Sequence, residues 1–440
     1  SGWGSITFSS PTIKKLIGGT SNETPFSAQQ TSDGGYVVAG DSYSSNSGTL
    51  TGIINNGNLD MYIAKLDGNG TILWQKLLGG NNYESATSIQ QTNDGGFIIV
   101  GTSNSSNTGT LTGLTNHGGY DDWIVKLDGN GTIAWQFLYG GSGDDYAQSV
   151  QKISNGGFIV AGYSNSSNSG TLTGLTNFGL RDYWIYKLDE NGVIVWQYLF
   201  GGTQDDEAYG ITESTDQGFI IAGKSNSSNT GTLMGVTNNG FADYWILKLN
   251  STGNLIWQRL LGGNDDEIPY TIDKTLDGGA FVGGYSRSAS NTGTLTGLTN
   301  NGQADYLIIR LDDSGNVLWQ KLLGGSFDEI CWSVKNTNDG GYIAVGNSSS
   351  SNTGTLTGIT SNGDDDFWVI KFDGNGLISW QKLLGGSLSD YGFSVYQTND
   401  SGFIIAGRAY SSNTGNLTGL INNGGGDYWL TKLDKSGNSY

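Results

Sequence analysis

Glycine pairs open at Gly18, Gly79, Gly140, Gly201, Gly262, Gly324 and Gly385, at spacings of 61, 61, 61, 61, 62 and 61 residues. A period this long and regular makes the 440-residue chain seven copies of one supersecondary unit, and only an architecture that stacks such units accommodates it. Each copy reads as four strands. In the second copy ATSIQQT (86–92) alternates polar and apolar residues, as a strand with one wet face does. NDGG then turns the chain through positions that favour positive φ. FIIVGTS (97–103) is a nearly continuous apolar run, the signature of a strand covered on both faces. A long Ser/Thr/Asn/Gly segment follows, then DDWIVKLD (121–128), a GNG turn, and TIAWQFLYGG (132–141), which runs into the next copy. No window carries helical periodicity.

The offset of the copies decides the architecture. The segment TIKKLIGG (12–19) matches a fourth strand, with Ile13 at the register of Trp74, whereas the last copy stops after its third strand, DYWLTKLDKSGNSY. In a ring the opening segment completes the last sheet and leaves no edge unpaired at the join. A linear solenoid would need terminal caps and gains nothing from this offset. The sequence therefore predicts an all-β fold: a seven-bladed β-propeller with four antiparallel strands per blade, one domain over residues 1–440, its last blade closed by residues 12–19.

Charge narrows the partners. A formal net charge of −19 opposes phosphate backbones and anionic bilayers, so nucleic acid is excluded as a partner. No apolar run approaches the ~20 residues that cross a bilayer, so no membrane insertion is expected. A single cysteine, Cys331, rules out an intrachain disulfide. The opening SGWGS, without an initiating Met, reads as a processed or trimmed start. The phrases TNDGGFIIVGTS and KLDGNG before a Trp, repeated over essentially the whole chain, resemble the exported β-propeller-repeat proteins of Bacteroidetes-type bacteria. That resemblance implies a propeller and an extracellular or bacterial cell-surface location, and it assigns no activity.

Comparison of the copies separates scaffold from candidate site. Trp74, Trp135, Trp196, Trp257, Trp319 and Trp380 share one register of the fourth strand, and Trp123, Trp184, Trp245, Trp368 and Trp429 one of the third; both sets read as packing between blades. Cys331 shares its register with Ala86, Ala147 and Ala208 and reads as a buried filler. Asp60 and its six equivalents each stand five residues before a Lys or Arg, on opposite strand faces, so the two cannot pair within one blade; both read as structural, with the Asp of one blade free to meet the Lys of another. Glu23, Glu84, Asp145, Asp206, Glu267, Glu329 and Asp390 stand five residues past each marker glycine, ahead of the first strand. If that strand is innermost, they ring the channel mouth. Such a ring offers a site for Ca2+ or another cation; the alternative is local capping of the fourth-to-first connection. Asn46, Asn107, Asn168, Asn229, Asn291, Asn352 and Asn413 are invariant in the long loops, as are Leu50 and its equivalents. Topology places these loops on the same face as the carboxylates. The Asn groups either satisfy the loop backbone or present seven equivalent uncharged surfaces to a ligand, where weak sites gain strength together.

Catalytic machinery is scarce. His117 is the only histidine and occupies a slot filled by Asn56, Phe178 and Asn239 elsewhere, so it reads as exposed filler without zinc or nucleophile partners. The sequence thus points away from an enzyme and from any resident cofactor other than a cation. It points toward an adhesive or binding module on the cell surface, taking a neutral glycan or a repeated protein surface. Alternatives are a structural component of a larger bacterial surface assembly, as a monomeric disc or a subunit, and a glycoside hydrolase built on two carboxylates.

Overall fold

The computed structural model describes residues 13–439; Thr12 of the closing segment and the SGWGS opening lie outside the described residues. The described residues form 28 strands in seven four-stranded antiparallel sheets. In the second sheet these are Glu84–Gln91, Phe97–Ser103, Asp121–Leu127 and Ile133–Tyr139, paired in chain order. The seventh sheet takes Asp390–Gln397, Phe403–Ala409 and Asp427–Leu433 from the end of the chain and Lys14–Ile17 from its beginning, with Lys14 opposite Thr431 and Ile17 opposite Tyr428. The join is bonded like every other: Glu23 N–H donates to Gly426 O at 2.6 Å, as Asp145 does to Tyr120 O at 2.6 Å and Asp206 to Arg181 O at 2.7 Å. Ile13 packs on Gly70 just as Trp74 packs on Gly131 and Trp380 on Gly437. The fold is a closed seven-bladed β-propeller.

The second and third strands carry the core because both their faces are covered. All seven residues of Phe97–Ser103 and of Asp121–Leu127 are buried. Each hydrophobic cluster spans two blades; one joins Val37, Ile63 and Met61 of the first to Phe97, Trp123 and Val125 of the second. Third-strand Trp123, Trp184, Trp245 and Trp368 are fully buried, and truncating any of them to Ala is expected to cost about 3–5 kcal/mol. Leu50 and its six equivalents are fully buried under their loops, as anchors should be. Cys331 is likewise fully buried, against Gly346 across the strand pair.

Three expectations need correction. The first strand starts at Glu84, two residues ahead of the alternating run, so the seven carboxylates open the strand rather than precede it. Six of the long loops hold a single 3-10 turn, Gly48–Leu50 being the first, too short to register as periodicity. The strand-three aspartates do not meet basic residues of another blade. Lys65, Lys126, Lys371 and Lys432 instead pair with Asp33, Asp94, Asp339 and Asp400 in the first turn of their own blades, at the end of the sheet away from the long loops. Strand rise separates residues five apart by roughly 17 Å, so one strand serves two chemically distinct faces.

Candidate binding site at the channel mouth

The structure buries the acids that the repeat pattern singles out. Glu23, Glu84, Asp145, Asp206, Glu267, Glu329 and Asp390 all have 0% exposure. Each accepts the backbone N–H of the glycine four residues earlier, from Gly263 to Glu267 at 2.6 Å to Gly19 to Glu23 at 2.8 Å. Six also accept a serine hydroxyl from the end of the second strand, as Glu23 does from Ser42 at 2.8 Å and Glu84 from Ser103 at 2.7 Å. In the seventh copy Ala409 takes the serine position, and Asp390 accepts the Ser411 N–H at 3.2 Å instead. The carboxylates therefore clamp the fourth-to-first connection and do not open onto the channel. Among the described residues, no three His, Cys, Asp or Glu side chains gather as ligands for a metal.

The strand-three aspartates join them in pairs. Asp60, Asp121, Asp182, Asp243, Asp305, Asp366 and Asp427 are fully buried, and each keeps its Oδ1 without a hydrogen-bond partner. A Cβ on Gly18 would meet Asp427 Oδ1 at 2.2 Å and Glu23 Oε2 at 2.4 Å, so the two acids face each other across a bare Cα. This close approach is why the first glycine of each marker pair cannot carry a side chain. Burial, reinforced by the like charge opposite, pushes Asp145 and Glu329 up to about 6 and Glu267 to about 7. Asp60 and Asp305 rise to about 6, again through burial first.

The loop asparagines are also scaffold in their main contacts. Asn46, Asn107, Asn168, Asn229, Asn291, Asn352 and Asn413 all adopt positive φ, between 45° and 64°, a region Asn tolerates better than most residues. Each Oδ1 accepts the N–H six residues on, as Asn46 does from Gly52 at 2.7 Å and Asn413 from Gly419 at 2.8 Å. Thr49 and its equivalents tie the loop to the marker glycine, with Thr49 N–H donating to Gly18 O at 2.9 Å and Gly18 N–H donating to Thr49 Oγ1 at 2.9 Å. Loops and carboxylate connections thus share one face. The amide nitrogens of these asparagines remain on its exposed surface. His117 has a partner that its variable slot did not foretell: its Nδ1 lies 3.0 Å from Asp121 Oδ2.

What distinguishes the copies lies one step further in. Every first strand carries a β-bulge at the same place, between Pro25 and Ser27 in the first blade and between Cys331 and Ser333 in the sixth. The residue left unpaired is Phe26, Thr87, Gln148, Tyr209, Tyr270, Trp332 or Phe393. A bulge re-aims its side chain, and here all seven converge on one cavity of about 250 Å³. Five aromatics form a continuous arc: Tyr209 to Tyr270 at 5.5 Å, Tyr270 stacked on Trp332 at 4.2 Å, Trp332 to Phe393 at 5.5 Å, and Phe393 to Phe26 at 5.7 Å. Thr87 and Gln148 close the opposite side. The Trp332 indole N–H donates to Asn347 Oδ1 at 2.8 Å, which holds the ring in place. Glu207 accepts the Tyr209 hydroxyl and is itself paired with Arg181 at 2.6 Å and Lys224 at 3.3 Å.

Beneath the arc the channel narrows to a waist lined by Ser27, Ser88, Thr271 and Ser333, which accept backbone N–H groups of neighbouring blades. It opens again on the far face among Gln29, Gln90, Gln151 and Lys335. The channel is therefore aromatic at the loop-bearing mouth and amide-rich at the other. A separate groove on the turn face, beside Leu276 and Trp319, is built around the Arg310–Asp277 ion pair of the scaffold.

No family model matches the chain. The chain is 24% identical to the regulatory protein FlaEY of Caulobacter vibrioides over 75% of its own length and 36% of that protein, so it spans about a third of the curated relative it matches. Similar solved structures include a protein of unknown function from Bacteroides caccae, at 11% identity, TM-score 0.40, covering 73% of this chain and 89% of the other. The WD40 domain of Neurospora crassa Pan2 is similar at 11% identity and TM-score 0.47, covering 94% of this chain and 89% of the other. Among the described residues no helix is long and apolar enough to cross a membrane. The chain is a seven-bladed β-propeller, and its role rests on its own residues.

Proposed function

We propose that the chain is a non-enzymatic binding module, displayed outside the cell or on its surface, that recognises an uncharged, hydroxyl-rich ligand such as a neutral glycan on its loop-bearing face. The observation that supports this most is the convergence of seven bulged side chains on one mouth that is aromatic on one side and neutral-polar on the other. Aromatic faces and amides suit sugars, while an acidic chain of net charge −19 repels anionic ligands. The repeat's paired acids are sealed inside the blades, where no substrate reaches them, which favours binding over hydrolysis. The test is binding of the purified chain to an array of neutral and anionic polysaccharides, with competition by free sugar. Retention on neutral polysaccharides alone supports the reading; retention on none, or glycan cleavage, refutes it.

A second reading, a component of a surface assembly, is favoured by a different feature. Outer strands expose apolar side chains at a repeated register, with Leu73 at 58%, Val195 at 59%, Ile256 at 52% and Leu318 at 55% exposure. Sedimentation over a range of concentrations tests it: self-association that Leu318→Lys weakens supports assembly, and a monomer throughout counts against assembly through these rims.

A further inference from the structure

We infer that the chain holds one sugar-binding site, at the loop-bearing mouth of the channel, and not seven equivalent sites on the loops. This rests on the neutral-glycan reading above and makes it specific.

The repeat itself supplies the argument. Where the seven copies agree, their polar groups are engaged internally: the carboxylates clamp Gly N–H groups and each loop Asn Oδ1 closes its own loop. The seven copies diverge in kind at the bulge, from Phe26 through Thr87 and Gln148 to Trp332. A packing role common to all blades favours side chains of similar kind, as the fourth-strand register does with six Trp, and not Phe, Thr, Gln, Tyr and Trp together. The variation instead builds a lopsided rim, with the aromatic arc Tyr209, Tyr270, Trp332, Phe393 and Phe26 facing Gln148.

Its chemistry fits one pyranose ring. A sugar offers an apolar C–H face to an aromatic ring and hydroxyls at its edge, and a pocket for it needs an aromatic wall beside a neutral donor and acceptor. Gln148 supplies both and makes no hydrogen bond to any described residue. The mouth offers no free charge to a ligand beside Tyr209, because Glu207 is held by Arg181 and Lys224. A cavity of about 250 Å³ admits a single ring and leaves the remainder of a chain to run out over the loops.

The experiment is calorimetry of the full chain with four neutral hexasaccharides (cellohexaose, laminarihexaose, mannohexaose and xylohexaose), compared with Trp332→Ala, Gln148→Ala and the loop variant Asn107→Ser. Trp332→Ala is checked for native circular dichroism, and Gln148→Ala, which removes no packed group, stands in if it fails to fold. The expected result is one sugar per chain, affinity about tenfold weaker in either mouth variant, and no change in the loop variant. A stoichiometry near seven, or affinity that ignores both mouth variants, overturns the single mouth site while the neutral-glycan reading stands. Absence of binding to all four sugars, together with an empty neutral-polysaccharide array, overturns both.

Discussion

Replacing Asp182 by Asn should stabilise the protein at high pH and do progressively less as pH falls. Asp182 is fully buried; its Oδ2 accepts the Phe178 N–H at 2.8 Å, and its Oδ1 has no partner. Burial first, and then the nearby Asp206, push its carboxyl from 3.8 to about 7. A raised carboxyl pKa means the folded chain holds the proton more tightly than the unfolded one. Stability is then fullest below pH 4 and is lost as pH rises from about 4 through 7. A shift of this size corresponds to a ceiling of about 4 kcal/mol at pH 8, and about 3 kcal/mol of it develops between pH 4.5 and pH 8. Asn keeps the acceptor for Phe178, presents N–H toward Asp206 and carries no ionisation penalty. Guanidinium unfolding of both proteins at pH 4.5 and pH 8 should show the advantage of the variant growing by about 2–3 kcal/mol over that range. An equal stability change at both pH values would refute the reasoning, since the paired acids would then not be the source of the pH dependence.

Further outcomes follow from the same contacts. At the acid end, hydrogen bonds from Thr31, then Lys65 and Gly35, hold Asp33 down to about 2, so its contribution persists above pH 4 and is lost as pH falls toward 2; with the buried pairs this gives a stability maximum near pH 4–5, measurable by thermal melts across pH. Asn107→Ala should lower stability by about 1–2 kcal/mol by placing at φ 52° a residue that tolerates the left-handed region less well than Asn and by freeing the Gly113 N–H, with Asn107→Gly recovering the conformational part; chemical denaturation separates the two. Cys331, whose thiol burial raises well above its ordinary range, should resist Ellman's reagent in the native state and react only at the unfolding rate. Ile17→Asp places a charge in the seam between first and last blades, where Ile17 is fully buried, and should cost about 3–5 kcal/mol and destroy the single cooperative transition.

The closed ring is legible in the sequence because the offset of the copies is a covalent fact: Ile13 stands in a Trp register and the last copy lacks a strand to carry it. Second-strand bounds are legible for a similar reason, as Phe97–Ser103 opens on a continuous apolar run, FIIV, and closes on small and polar residues that lead into the loop. The site is harder to read. Glu23 and its equivalents look like surface acids because burying a carboxylate is costly, and composition gives no hint that a glycine N–H and a serine hydroxyl are waiting. A signal does exist in the serine that ends the second strand at Ser42, Ser103, Ser164, Ser225, Ser286 and Ser348, which tracks the acid across six copies. The bulge leaves no such trace. It is defined by a count of residues on the partner strand, so Phe26, Thr87 and Gln148 look like tolerated noise until pairing shows them skipped together. Invariance across the copies marked the scaffold, and divergence marked the mouth.

The most direct measurement of the central claim is a crystal structure of the chain soaked with whichever neutral hexasaccharide binds best. A single mouth site requires one ordered sugar ring at the loop-bearing mouth, stacked on the Trp332 side and bonded to Gln148. Sugar density repeated around the seven long loops, with none between Trp332 and Gln148, would contradict it.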